Sequence, residues 1–174
     1  MEPLRSLGPV LVDTLRELPY ADSGSVFDEP AEPHAYRSRN LPVSGLDAGG
    51  LTAAAGPSAP VMTVAGVRHL GGALARAPRV AAAVGHRDAA FAVSVLSPVE
   101  TGVEEAVRGA HRDALAPFAG EALGRSLNFA FGPLEPDEVR SAFARADHDR
   151  LARLKGEYDP HGLLHVNHRI EPAG

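Results

Sequence analysis

The chain has 174 residues, 44% of them hydrophobic, and 17 basic against 22 acidic side chains give it a formal charge of −5. That length supports one ordinary domain with its own core, and the acidic balance argues against a nucleic-acid partner, whose phosphates need a basic face. The absence of cysteine excludes disulfides and thiolate–metal sites. No apolar run approaches the roughly 20 residues of a membrane span. The charged, Pro-containing first residues do not form a signal peptide, so a cytoplasmic protein without membrane association is expected.

Aromatic residues make up only 5% of the chain and Trp is absent, which leaves Ala, Val and Leu to fill the interior. Residues 1–60 are rich in Pro, Gly and Ser. Within them Val10, Leu11, Thr14, Leu15 and Leu18 follow helical spacing up to Pro19. Residues 21–60 carry breakers throughout and read as a long loop, with one short helix near 45–55. A loop of that length is usually functional or ordered by a partner. Tyr20, Phe27 and Tyr36 lie within it, as loop pins or as apolar lining of a pocket.

Strand spacing appears at 61–69, where Val61, Thr63, Ala65 and Val67 alternate, and again at 90–96, closed by Pro98. Thr101 and Glu104 form a capping-box pattern. The helix that follows carries an apolar stripe from Val103 to Phe118. Residues 125–131 alternate as a third strand, with Ser126, Asn128 and Ala130 on one face and Leu127, Phe129 and Phe131 on the other. Pro136-Asp137-Glu138 starts a last helix that ends at Gly156 and Asp159-Pro160. The order β–β–α–β–α implies an α+β fold, an antiparallel sheet with helices packed on one face. A sheet of so few strands would leave an exposed edge able to recruit a second chain or a second copy.

Three histidines, His161, His165 and His168, invite a metal reading, since the first two are one helical turn apart. A Pro-Gly pair interrupts helical geometry there and no Glu stands at general-base spacing, so no metal site is assigned. His86-Arg87-Asp88 and His111-Arg112-Asp113 both spell a kinase catalytic-loop triplet, but neither is followed by the required Asn and no Gly-rich loop exists. The first triplet reads as a strand entry in which Arg87 and Asp88 pair. The second reads as a solvated helix face. No Gly-x-Ser-x-Gly elbow anchors a hydrolase.

Four colinear segments carry a resemblance. They are the N-terminal Pro3-Leu4-Arg5 to Phe27-Asp28 stretch, the Gly71-Gly72-Ala73 turn with His86-Arg87-Asp88-Ala89, the Gly124-Arg125-Ser126-Leu127-Asn128-Phe129 stretch, and the closing Tyr158-Asp159-Pro160-His161-Gly162 to Asn167-His168 segment. Together they resemble the substrate domain and C-terminal signature of the berberine-bridge-enzyme-like FAD-linked oxidases. The resemblance implies a partial substrate domain of a two-domain flavoenzyme, divided as 1–60, 61–123 and 124–174, the last being the berberine-like C-terminal segment. It implies FAD held through a domain absent from this chain, in which no Gly-x-Gly-x-x-Gly cradle occurs. The activity implied is oxidation of a hydroxyl- or amine-bearing small molecule, with O2 as acceptor.

By the same resemblance Asn128, Phe129, Asn167 and His168 lie against the flavin, with Leu163 and Leu164 anchoring the closing segment. Ser126 takes the position where the family commonly has a Tyr that deprotonates the substrate. A serine hydroxyl needs another base to act there. His86 is the second catalytic candidate, facing the substrate cleft. Two alternatives stand beside this reading: a non-catalytic remnant or interaction module, and one half of a split enzyme whose flavin-binding domain is a separate chain.

Overall fold

The computed structural model describes residues 2–10, 12–26, 32–54 and 60–173. They fall into two units, divided after Pro33. In the first, helix α1 (Glu2–Arg5) and a 3₁₀ turn (Tyr20–Val26) are the regular elements. The helix expected over 10–18 does not form, and residues 12–19 are irregular. Of its apolar stripe, Val10, Thr14 and Leu15 are exposed. So short a helix is marginal without a packed face. Asp13 also diverts the backbone: its carboxylate holds Arg5 Nε at 2.7 Å and accepts the Leu15 N–H at 3.0 Å. Leu11 and Phe27 lie outside the described residues.

The second unit is built on a three-stranded antiparallel sheet in the order β1-β3-β2, from β1 (Tyr36–Val43), β2 (Val64–His69) and β3 (Phe91–Pro98). The α+β class is as expected, and β2 and β3 fall where alternation placed them. Strand β1 lies inside the stretch read as loop. Its polar sequence and Pro42 conceal a strict alternation: Arg37, Arg39, Leu41 and Val43 share one face, and Ser38, Asn40 and Pro42 share the other. Proline is tolerated because β1 is a sheet edge. Beyond it the described residues make only isolated bridges, Ser38 to Phe131 and Val43 to Ala122.

Helix α2 (Ala48–Ala54), helix α3 (Glu104–Leu115) and the 3₁₀ turn Ala116–Glu121 associate with the face that carries Val43. Val43, Val93, Val95, Leu115 and Phe118 form the core there, flanked by Leu41, Leu46, Phe91 and Ala114. Helix α3 begins later than the capping-box pattern implies. Val103 is its N-cap, and Glu104 accepts the Gly102 N–H instead of returning to Thr101.

Two further expectations are corrected. Residues 125–131 do not form a strand but wind into a 3₁₀ turn, Leu127–Phe129, and touch β1 only through the Ser38–Phe131 bridge. The single last helix is two, α4 (Pro136–Arg140) and α5 (Arg145–Tyr158). At the break the Ser141 hydroxyl donates to the Glu138 carbonyl at 2.7 Å. The Ser141 carbonyl leaves the helix ladder and accepts from Arg125 N–H and from the His86 ring. Tertiary partners thus replace the lost helical bond.

Phe118 is the largest fully buried side chain of this aromatic-poor core. Phe118→Ala is expected to cost about 3–5 kcal/mol. Chemical denaturation should show this as a lower midpoint with an unchanged slope.

Candidate functional site

A groove of about 450 Å³ lies on the sheet face opposite the core. Its floor is Asn40 and Pro42 of β1, Ala92 and Ser94 of β3 and Arg68 of β2, which share a face by register. Its walls are residues 83–87, residues 125–129 and the α4–α5 break at Ala142 and Phe143.

The wall over the polar floor is fastened by Asn40, which is buried. Its Nδ2 donates to the Ser126 carbonyl and its Oδ1 accepts the Ser126 N–H, each at 2.8 Å. A side-chain amide thus supplies the paired donor and acceptor that a neighbouring strand would have supplied. On the opposite face Arg39, also buried, donates to the carbonyls of Ser38 (2.9 Å), Phe131 (2.9 Å) and Pro133 (2.6 Å). Burial lowers the Arg39 pKa to about 10; the Arg37 charge adds to this and Glu138 opposes it. Neither residue was singled out from the sequence. The legible signal was the alternation Arg37-Ser38-Arg39-Asn40, obscured by the neighbouring breakers.

The groove gathers four of the six predicted site residues. Ser126 and Asn128 line it, and the Asn128 amide makes no hydrogen bond among the described residues. Phe129 lines it too, 46% exposed, with the Arg68 guanidinium 4.4 Å above its ring centroid. His86 lines the opposite wall, and its Nε2 lies 2.7 Å from the Ser141 carbonyl. A carbonyl only accepts, so Nε2 carries the proton and a neutral ring presents a bare Nδ1. His86 has φ +57°, a left-handed conformation uncommon for a side-chain-bearing residue. Gly124 is required beside it: a Cβ there would stand 2.2 Å from both His86 Nε2 and the Ser141 carbonyl oxygen.

Asn167 and His168 are placed differently. Asn167 lines a second cavity, about 710 Å³, with Pro133, His148 and Arg169 among its walls, and does not share the groove with Asn128. His168 Nε2 donates to the Ala130 carbonyl at 2.9 Å and so ties the tail to the end of the 127–129 turn. The tail is not anchored by its leucines, since Leu163 and Leu164 are 76% and 68% exposed. Asp159 anchors it instead. Its carboxylate accepts the N–H groups of Leu163 (2.6 Å) and Leu164 (3.3 Å) and binds Lys155 Nζ at 2.5 Å.

Other expectations are also revised. Arg87 does not pair with Asp88 but donates to the carbonyls of Leu74 and Arg76. His111 is not on a solvated face. It is 2% exposed, with Nε2 at 3.0 Å from Ser97 Oγ, which in turn lies 3.0 Å from Thr63 Oγ1. Burial, then the charges of Arg37 and Arg39, lowers its pKa to about 4. Ser97 is fully buried, so this Ser–His contact is beyond a substrate's reach. Tyr20 is exposed in the first unit, and Tyr36 lies edge-on to His34 outside the groove lining. Among the described residues no group of three or more His, Cys, Asp or Glu side chains is arranged to hold a metal ion. No helix there is long and apolar enough to cross a membrane.

The fold recurs in solved oxidoreductases. The carbohydrate oxidase from Microdochium nivale, determined in complex with a substrate analogue, superposes with a TM-score of 0.64 at 14% identity over 83% of this chain. Aclacinomycin oxidoreductase superposes with a TM-score of 0.58 at 16% identity over 79% of it. The chain spans about a third of each, 34% and 32% of their lengths. No protein-family model and no curated protein sequence matches the chain.

Asn40→Ala removes both ties to Ser126 and is expected to destabilise by about 2–3 kcal/mol, as buried backbone groups lose their partners. Asn40→Asp keeps the acceptor alone and should fall between, both read from denaturant midpoints. Asp159 gives a second outcome. The Lys155 hydrogen bond, helped by the Leu163 and Leu164 amides against the opposing effect of burial, holds its pKa below the usual carboxylate value. Its contribution is therefore full above the ordinary carboxylate range near 3.9 and is lost as pH falls through the lower folded value. The Leu163 and Leu164 amide resonances should shift together in that acid window, and Asp159→Asn should abolish the transition.

Proposed function

We propose that this chain is the substrate-side, C-terminal region of an FAD-linked oxidoreductase, acting on a small hydroxyl- or amine-bearing molecule with O2 as final acceptor. The groove carries this reading. A mostly apolar hollow with a few converging polar groups is the ordinary form of a small-molecule site, and here it is set on a fold shared with a carbohydrate oxidase and an oxidoreductase.

The groove's residues fit the ring of a flavin better than its phosphates. The Asn128 amide both donates and accepts, as the mixed edge of an isoalloxazine requires, and Phe129 and Pro42 offer apolar surface. Two of the three arginines lining the groove are engaged by other groups, Arg87 by two carbonyls and Arg125 by Glu138 at 2.8 Å, while Arg68 stacks over Phe129 within the groove. The phosphate anchors then belong to a flavin-binding domain or chain, as the resemblance implies. When bound, the flavin supplies the hydride acceptor.

This chain's part is to orient the substrate and take its proton. His86 is the better-suited base, because it lines the groove and an imidazole held through Nε2 keeps its second nitrogen for proton transfer, whereas the Ser126 hydroxyl has no activating partner among the described residues. Ser126 acts through its backbone, as the point where the wall is fastened. Asn128 holds the ring, and His168 acts as a positioning residue for the turn that carries it. The outer edge of β2, where Val64 and Val67 are exposed and no strand pairs among the described residues, supports a flavin-binding chain or a second copy as partner.

Titration with riboflavin and with FAD, followed by flavin fluorescence, tests the assignment. Both should bind weakly and quench, and Asn128→Ala should weaken riboflavin binding about tenfold, the equivalent of one net hydrogen bond. A chain that quenches neither ligand would be the non-catalytic module instead. An affinity unchanged in Asn128→Ala would remove that residue from the site.

A further inference from the structure

The helix-covered side of the sheet holds a separate cavity of about 570 Å³, between β1, α3 and the segment leading to Glu138. Five arginines line it, Arg37, Arg39, Arg108, Arg112 and Arg125, against a single carboxylate, Glu138. That concentration runs against a chain whose net charge is −5. Glu138 answers Arg125 at 2.8 Å, and Arg108 reaches Glu105 at 3.5 Å near the surface. Arg37 and Arg112 have no ion-pair partner among the described residues.

Two wall residues also carry buried nitrogens with no hydrogen-bond partner, Arg37 Nε and His111 Nδ1. Buried polar groups are almost always partnered; His148 and His168 carry the same kind of nitrogen away from this cavity, so the missing acceptor is indicated by the five guanidinium groups around the hollow. Guanidinium forks match tetrahedral and planar oxyanions through paired N–H donors, which a halide cannot reproduce.

We propose that this cavity binds a phosphoryl oxyanion, either free phosphate or the phosphate group of a small molecule. The cavity lies on the other face of the sheet from the groove floor, with Arg125 between the two, and its proposed ligand does not rest on the oxidoreductase reading. Burial lowers the pKa values of Arg37 and Arg39; the Arg108 charge adds to this at Arg37 and the Arg37 charge at Arg39, and Glu138 opposes both. A bound anion would relieve that repulsion. It would also raise the His111 pKa from about 4, because the ring is faced by Arg37 and Arg39 from β1, by Arg108 and Arg112 from its own helix, and by Arg125 and Glu138 across the cavity.

The test is calorimetric titration of the chain with sodium pyrophosphate, inorganic phosphate and phenyl phosphate, against sodium chloride at matched ionic strength. Saturable binding of the phosphates, absent for chloride, is expected. Arg37→Gln/Arg112→Gln should lower the affinity at least about tenfold, as charged hydrogen bonds are lost. Arg39 is left intact because it fastens the 131–133 segment. Tighter binding of phenyl phosphate than of inorganic phosphate identifies a phosphorylated small molecule as the ligand; the reverse order identifies the free ion. In the wild-type chain, the His111 ring resonances should titrate at higher pH with pyrophosphate present. Binding no stronger than chloride, an unchanged affinity in the double variant, or an unmoved His111 titration would each overturn the proposal.

Discussion

Two adjacent residues on one edge strand hold the second unit in its form. Arg39 and Asn40 project to opposite faces of β1, and both reach the same stretch of chain, residues 126–133. That stretch has little regular backbone pairing of its own: one bridge to Ser38 and a short 3₁₀ turn. The side chains of β1 therefore do the work of a missing strand neighbour. An amide pairs with Ser126 on the groove side, and a guanidinium gathers three carbonyls on the other. Both residues are buried, so each tie is made away from competing water and each lost partner would leave an unsatisfied backbone group.

This arrangement makes the two faces of the sheet interdependent. Ser126 is fixed in the groove wall and Phe131 and Pro133 are fixed beyond the strand edge, so Asn128 and Phe129 between them are held over the floor. His86 is set against the same wall from the other side, through the Ser141 carbonyl freed by the α4–α5 break. The core contributes a platform without aromatic bulk apart from Phe118 and Phe91, and the polar ties, not the core, position the groove residues. The cost of using arginine as a fastener is a cluster of positive charge on the helix side, which Glu138 only partly neutralises.

What the sequence made legible follows from where local pattern and tertiary packing agree. Strands β2 and β3 and helix α3 were readable because their apolar periodicity matches the face they bury. Strand β1 was not, because one face begins with two arginines before Leu41 and Val43 and the other carries Ser, Asn and Pro, so the hydrophobic signal of a strand is confined to its end although the alternation is strict. Residues 125–131 failed in the opposite way. They alternate like a strand, but Asn40 captures both backbone groups of Ser126 and the chain turns instead. Of the site, Ser126, Asn128, Phe129 and His86 were found through the resemblance and do converge. Arg68, Ser94 and Asn40 could not be found without the register of the sheet.

The closing segment shows the same substitution of polar ties for apolar ones. Leucines 163 and 164 suggest a hydrophobic anchor, yet both side chains face solvent while their N–H groups are held by the buried carboxylate of Asp159. The carboxylate is itself balanced by Lys155, one turn earlier on α5. Farther on, His168 reaches Ala130 and the Ala173 N–H reaches the Ala152 carbonyl. A tail fastened through its backbone leaves its side chains free of structural duty, so Leu163, Leu164 and Val166 remain available as apolar surface. The sheet edge at Val64 and Val67 has the same character. In both places the fold is complete without the apolar groups, and their burial would have to come from contacts beyond the elements that position the groove.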